Sequence, residues 1–421
     1  MYETFFLPGG ITLRCIRADR FKQSCLSVQL LRPMKKEEAA LNALLPAILL
    51  RGSRNYPDLK CITEKLDDLY GASVGTLVRR IGDYQSTGFY CGFIDDRFAL
   101  EGDAILEPML SFVGELLLDP LQGECGFDVD FVESEKKNLI SVIDSERADK
   151  RSYAASQLLK LMGKADSFGI PRLGEKEDVA AITPRAAFDH YQTILQESPI
   201  EIFYIGSAPG EKICGILQNI FAPLERAPQA LPPQTAFCPS EMQEASEVME
   251  IAQGKLAMGF LTPITQNDPR FAAMQVANTI FGSGQTSKLF MQIRESQSLC
   301  YAIGSGYFGS KGVITVNAGI DFDKFDAVRQ EVLRQLQLCK DGVVTDDELL
   351  SAKQTLLSGL RSVYDSPGAM EGYFSTAAIT GQSRTPEEHI RQVEAVTLAD
   401  VAEAASTISY HSTFFLKGGA L

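Results

Sequence analysis

The sequence predicts an α+β protein of two homologous α/β-sandwich halves, each an antiparallel or mixed sheet with helices packed on one side. Three observations carry this: one order of strands and helices is written twice, short echoes recur between the copies, and a proline-rich stretch separates them. At 421 residues the chain is also long for a single hydrophobic core.

In the first half, residues 1–33 alternate apolar and polar in two runs, FFLPGGITLRCIR and SCLSVQLLRP, as paired antiparallel strands do. Residues 39–50 are almost wholly apolar and contain Pro46, which predicts a buried helix bent at the proline. Residues 58–70 place Leu59, Ile62, Leu66 and Leu69 on one face of an amphipathic helix that Gly71 closes. Strands follow at 73–79 and 84–94, helices at 97–118, 128–147 and 151–162, and a closing strand at 200–205. After residue 245 the order repeats. Strands at 247–252 and 255–261 precede an apolar helix near 270–281, a helix at 286–295, strands at 299–308 and 312–320, and three further helices.

Gly92-Phe-Ile-Asp-Asp is echoed by Gly319-Ile-Asp-Phe-Asp, Ala181-Ile-Thr by Ala395-Val-Thr, and Ile202-Phe-Tyr-Ile-Gly by Phe414-Phe-Leu-Lys-Gly. The first copy is the longer, with its surplus around residues 118–130. The expected organisation is therefore 1–221, a linker at 222–241, and 242–421; the alternative is two α+β domains with accidental echoes. The linker holds five prolines and no periodicity, which predicts a semi-rigid segment open to proteases.

Composition narrows the function. A net charge of −14 argues against a nucleic-acid groove as the main task, and no apolar run is long enough to span a bilayer. The first twenty residues lack the pattern of a signal peptide. Nine cysteines, scattered singly with no CxxC, fit reduced thiols in a cytoplasmic protein. His190, His389 and His411 are too dispersed to write a metal motif and read as surface or capping residues. The adjacent carboxylates Asp67-Asp68, Asp95-Asp96 and Asp346-Asp347 point apart, the last pair following Thr345 as a helix start.

The most informative stretch is 281–307, FGSGQTSKLFMQIRESQSLCYAIGSGY. Gly282 and Gly284 give it turn chemistry, permitting positive φ and close backbone approach. It is not a phosphate loop, because Ser287 precedes Lys288 and Leu289 follows it, whereas GxxxxGK[ST] is required. A helix from Thr286 would carry Leu289, Phe290 and Ile293 inward, and an extended segment would then place Tyr301 near Arg294.

The run Ser287, Leu289, Phe290, Arg294, Glu295, Leu299, Tyr301 behind a glycine turn resembles the C-terminal-half motif of the M16 zinc peptidases, the insulinase, pitrilysin and mitochondrial processing peptidase-like family. With the duplicated halves the resemblance spans the chain, and it implies the LuxS/MPP-like metallohydrolase fold. It implies that Arg294 and Tyr301 hold a substrate backbone in a peptidase cleft. It also implies an HxxEH helix in the first half, followed by a basic-Gly-[ST] turn, here Ile48-Leu-Leu-Arg-Gly-Ser. Counting back, the two histidine ligands fall on Ala43 and Ala47 and the general base on Pro46. The third ligand, a Glu seven residues beyond Glu135, falls on Val142. None of these side chains binds a metal or moves a proton, and apolar residues there let the helices pack without a buried charge.

The resemblance therefore implies a protein with no cofactor and no activity alone, the non-zinc subunit of the bacterial two-chain type. Its expected partner is an HxxEH-bearing zinc paralogue, or a second copy of itself, with a peptide substrate and with no nucleic acid or membrane. The alternative is a non-enzymatic scaffold or peptide-binding protein of the same fold.

Overall fold

The computed structural model describes residues 2–124 and 126–419, so Cys125 lies outside the described residues. The first half runs β1 (Glu3–Leu7), β2 (Ile11–Arg17), β3 (Gln23–Pro33), α1 (Lys36–Leu49), α2 (Leu59–Asp68), β4 (Ser73–Ile81), β5 (Tyr84–Ile94) and α3 (Leu106–Leu118). A minute hairpin of β6 (Gln122–Gly123) and β7 (Gly126–Phe127) precedes α4 (Val129–Ala148), α5 (Lys150–Met162), α6 (Lys176–Ala181), α7 (Pro184–Glu197), β8 (Ile200–Gly206) and α8 (Gly210–Phe221).

Three differences from expectation have local causes. The run FFLPGGITLRCIR makes two strands, because Gly9 and Gly10 adopt φ of 75° and 71° and turn the chain back on itself. Residues 97–105 are not α-helical; α3 starts only where Asp96 Oδ1 accepts from the backbone N–H groups of Ile105 (2.9 Å) and Leu106 (2.8 Å). Helices α6, α7 and α8 were not expected, although α7 carries a readable start, Thr183 capping Ala186 N–H with Pro184 in the first turn.

The second half runs β9 (Glu244–Met249), β10 (Gly254–Leu261), α9 (Phe271–Asn278), β11 (Ala302–Phe308), β12 (Val313–Ile320), α10 (Phe325–Lys340), α11 (Asp346–Ser362), α12 (Pro367–Ile379), α13 (Pro386–Ala395), α14 (Leu398–Ser406) and β13 (Ser409–Gly418). Five α-helices rather than three lie between β12 and β13. Capping boxes at Thr345/Glu348, Thr385/Glu388 and Thr397/Asp400 open α11, α13 and α14, each satisfying two backbone donors at the helix start.

The residues form two compact units. The first comprises Met1–Ile143, Pro171–Pro233 and Tyr364–Ile379; the second comprises Asp144–Ile170, Gln234–Val363 and Thr380–Leu421. In the first, the sheet order is β1-β2-β8-β3-β5-β4, with β2 and β8 parallel and the other neighbours antiparallel. In the second it is β11-β12-β10-β13-β9, with β9 and β13 parallel. Leaving out β1, the two orders are one topology read from opposite ends, which is the duplication the repeated pattern predicts. Register places Val28 opposite Phe89 and Ile202, all buried in the first core.

The units are not the contiguous stretches 1–221 and 242–421, because each takes a helix from the other half of the sequence. Helix α5 lies on the second unit's sheet, where Leu158 and Met162 pack with Ala257, Val313, Phe414 and Leu416. Gly259 makes room, since a Cβ there would lie 2.1 Å from Met162 Sδ. Nearby, Lys311, with no exposed side-chain surface, pairs at 3.3 Å with Asp166, which also accepts from the N–H groups of Phe168 (2.8 Å) and Cys238 (2.9 Å). Helix α12 lies on the first unit's sheet and buries Glu371 completely. Its carboxylate accepts from Ser27 Oγ (2.8 Å), Gln29 Nε2 (2.9 Å) and Arg79 Nη1 (2.9 Å).

The proline-rich stretch is held more firmly than its composition suggests. In the first unit Arg226 donates to the carbonyls of Leu195 (2.6 Å), Gly9 (2.7 Å) and Ser198, and Gln229 N–H donates to Glu197 (2.7 Å). In the second, Ser240 N–H donates to the Met162 carbonyl at 2.7 Å. Limited proteolysis read by mass spectrometry is therefore expected to leave 222–241 intact while looser loops are cut; a first cut inside it would contradict this pairing.

Candidate functional site

The site is built on residues 279–307 of the second unit. Helix α9 widens into a π-helical turn, Thr279–Ser283, and a second π-helical segment spans Leu289–Ser296. Gly282 and Gly284 do not take positive φ. What Gly282 supplies is space: a Cβ there would sit 2.6 Å from Leu289 Cδ1 and 2.8 Å from Ser305 Oγ. Gly284 is extended (φ −118°, ψ 165°) and ends the first turn.

The second segment is anchored from below by Leu289 and Ile293, both with no exposed surface. From the side, buried Lys288 donates to Glu348 at 2.8 Å and 3.0 Å, tying the segment to the start of α11. Lys288 is thus a structural cation, not part of a polar surface. The segment ends where Ser298 takes φ 49° and Leu299 N–H reaches back to the Ile293 carbonyl at 2.8 Å, a helix-closing turn usually given to glycine.

Arg294 emerges from this support, and Tyr301 follows it three residues beyond Ser298. The Arg294 side chain is 41% exposed, its Cζ 4.7 Å from the Phe290 ring centroid and Nη1 3.5 Å from Glu295. Its charge reaches Cys300, opposing the burial that pushes that thiol up to about 11. Tyr301, 60% exposed, stands at the head of edge strand β11. Its N–H donates to the Gly319 carbonyl (2.9 Å) and its Oη to Asp321 Oδ1 (3.1 Å); that hydrogen bond to a carboxylate raises the phenol above its ordinary range.

The expected metal positions lie in the first unit. Ala43, Pro46 and Ala47 share one face of α1, Ala43 and Pro46 buried and Ala47 partly so. Val142 on α4 is 48% exposed, so it is not the tight helix-packing residue expected. Glu135 is buried, 3.3 Å from Arg51 Nη1, and accepts from Asn138 Nδ2 at 3.1 Å. These residues do not fit a zinc ion: two alanines, a proline and a valine offer no donor atom. Among the described residues, no three His, Cys, Asp or Glu side chains gather as a metal site. The purified chain alone is expected to carry no stoichiometric zinc, and metal analysis finding one zinc per chain would overturn this register.

Sequence reasoning missed how α1 tolerates Pro46. Proline has no N–H for the carbonyl four residues back, Asn42. Thr87 Oγ1 on β5 donates to that carbonyl at 2.6 Å. Asn42 Nδ2 donates to Gln85 Oε1 (2.8 Å), and Gln85 Nε2 donates to the Ala39 (3.0 Å) and Arg172 (2.7 Å) carbonyls. This leaves Asn42 Oδ1 to accept from His190 Nε2 at 2.7 Å, so the assigned tautomer carries its proton there. The sequence signal was the proline, whose orphaned carbonyl had to find a donor.

The histidines are not surface or capping residues. His389 lies 2.5 Å from Gln275 Oε1 and His411 Nε2 donates to the Ser240 carbonyl (3.0 Å), both buried; His190 is half-buried. Burial pushes His190 and His389 down to about 4, Glu38 opposing the shift at His190 and Arg384 adding to it at His389. A base lowered on folding binds fewer protons folded than unfolded between 6.5 and 4. Stability is therefore full above pH 6.5 and falls as pH drops through that window, by up to about 1.4 kcal/mol per pH unit for each histidine. Urea unfolding at pH 7 and pH 5 checks this, with a flatter profile expected for His190→Gln.

Residues 181–356 match the family profile described as Peptidase M16 inactive domain. The chain is 28% identical over 411 residues to the probable inactive metalloprotease YmfF of Bacillus subtilis, covering 97% of this chain and 96% of that protein. A crystal structure of a conserved protein from Enterococcus faecalis superimposes with a TM-score of 0.91 at 26% identity, covering 99% of both chains. The peptidase M16 inactive domain from Pseudomonas fluorescens gives 0.82 at 17% identity over 100% of this chain and 98% of that one, a likeness of fold.

Proposed function

Because the chain is an M16 peptidase-like protein of the inactive type, we propose that it completes the peptide cleft of an HxxEH-bearing zinc chain by contributing Arg294 and Tyr301. The observation that carries this reading is that two exposed polar side chains each stand on a fixed support: Leu289, Ile293 and the Lys288–Glu348 pair hold the segment that carries Arg294, and the bond from Tyr301 N–H to the Gly319 carbonyl holds Tyr301 at the head of β11. Groups meant to meet a substrate are best placed on such a support.

When water attacks a peptide carbonyl, charge gathers on its oxygen, and a hydroxyl donor aimed there lowers the barrier. Tyr301 Oη serves this role by turning its proton from Asp321, whose exposed carboxylate is then left to water. Arg294 contributes alignment, since a guanidinium can hold neighbouring substrate carbonyls in its fork. The attack itself belongs to the other chain.

A scaffold reading is favoured by one feature, that the Tyr301 hydroxyl already has a protein acceptor. The separating experiment is co-expression with a tagged HxxEH-bearing M16 chain. The pair is expected to co-purify one to one, with a single zinc per pair. Recovery of this chain only as a monomer or a homodimer would return it to the scaffold class.

A further inference from the structure

We infer that Phe290 is a positioning residue for Arg294, a role that rests on the reading of Arg294 as a group that holds substrate. Phe290 belongs to the 287–301 motif, yet neither core packing nor substrate contact accounts for it. Ser287 is buried at the segment's start, where its N–H donates to the Gly284 carbonyl at 3.1 Å, and Leu289 is the anchor in the core. Phe290 is only half-buried, and the Arg294 guanidinium carbon lies 4.7 Å from its ring centroid.

A cation over an aromatic face is attracted by the ring quadrupole, and a guanidinium stacked this way keeps its N–H donors in its own plane, at its rim. Among the described residues the Arg294 guanidinium makes no protein hydrogen bond, and its ion pair with Glu295 is long, at 3.5 Å, and exposed. Its donors are therefore unspent while one face is held. The spacing of four residues on one helical segment puts the ring beneath the charge. The consequence is a guanidinium ordered before substrate arrives, so less freedom is lost on binding. Such an effect lies in KM rather than kcat. Leucine at 290 would keep the apolar contact but has no ring face, whereas tyrosine keeps both.

The test has two arms. In the free chain, proton NMR of the Arg294 δ-methylene group is expected to show an upfield ring-current shift that disappears in Phe290→Leu and persists in Phe290→Tyr. In the complex with the HxxEH-bearing chain, using one internally quenched peptide that the complex cleaves, Phe290→Leu is expected to raise KM about two- to fivefold with kcat unchanged. Phe290→Tyr is expected to match the wild type, and Phe290→Leu to add nothing in an Arg294→Ala background. An unchanged Arg294 resonance in Phe290→Leu overturns the stacking role whatever the protein does. A KM rise of equal size in the Arg294→Ala background reduces Phe290 to packing. If Arg294→Ala itself leaves KM unchanged, the reading beneath the inference falls, whatever the resonance shows.

Discussion

Truncating Glu371 to alanine is expected to destabilise the first unit by about 3 kcal/mol or more, the scale of removing one partner from a buried ion pair. The carboxylate has no exposed surface, and it is the acceptor for Ser27 and Gln29, both themselves fully buried. Losing it strands the Ser27 hydroxyl and leaves Gln29 Nε2 only its 3.2 Å bond to Ser27 Oγ, at about 1–3 kcal/mol for each group left unsatisfied. Arg79, about one-third exposed, recovers part of its loss by turning to water, which keeps the effect from being larger. Glu371→Gln retains an acceptor oxygen and should cost less than the alanine variant. Hydrogen exchange of the β3 and β8 amides reads this locally, on the strands that α12 covers. Equal protection in wild type and Glu371→Ala would mean that α12 is only laid on the sheet, not fastened to it.

Tyr301→Phe is expected to lower the turnover of the assembled peptidase by about a hundredfold to a thousandfold, as loss of one oxyanion donor does. The change removes only an oxygen that is exposed and hydrogen-bonded to Asp321 at 3.1 Å, so fold and assembly should be untouched. The backbone bond from Tyr301 N–H to the Gly319 carbonyl is retained in the variant, which keeps the ring where it stands. Circular dichroism and complex yield equal to wild type, with turnover lost, is the expected combination. Turnover equal to wild type would make Tyr301 a surface residue.

Much of this was legible in the chain because local patterns report local geometry. Alternation announced β2 and β3, and Thr345 with the acidic residues after it announced the start of α11. The run from Ser287 to Tyr301 singled out Arg294 and Tyr301, and both side chains are exposed. What stayed hidden depends on partners distant in sequence. The apolar face of α5 says that it must be buried, not that its sheet is β10 and β13 rather than one from its own half. Thr87 serves Asn42 across 45 positions, and Glu371 reaches Ser27 across 344. The crowding around Gly282 was likewise unreadable, because Leu289 and Ser305, which leave no room for a Cβ there, close on it only in the folded chain.

On the proposed reading, this chain supplies two side chains to a peptide cleft whose zinc lies in another chain. The most direct measurement holds an HxxEH-bearing M16 chain at fixed concentration and follows hydrolysis of an internally quenched peptide as this chain is added, in parallel with its R294A/Y301F variant. The expected rate climbs with wild type and levels off at one equivalent, while the variant assembles equally and leaves the rate near its starting value. A rate indifferent to wild type, or raised as much by the variant, would contradict it.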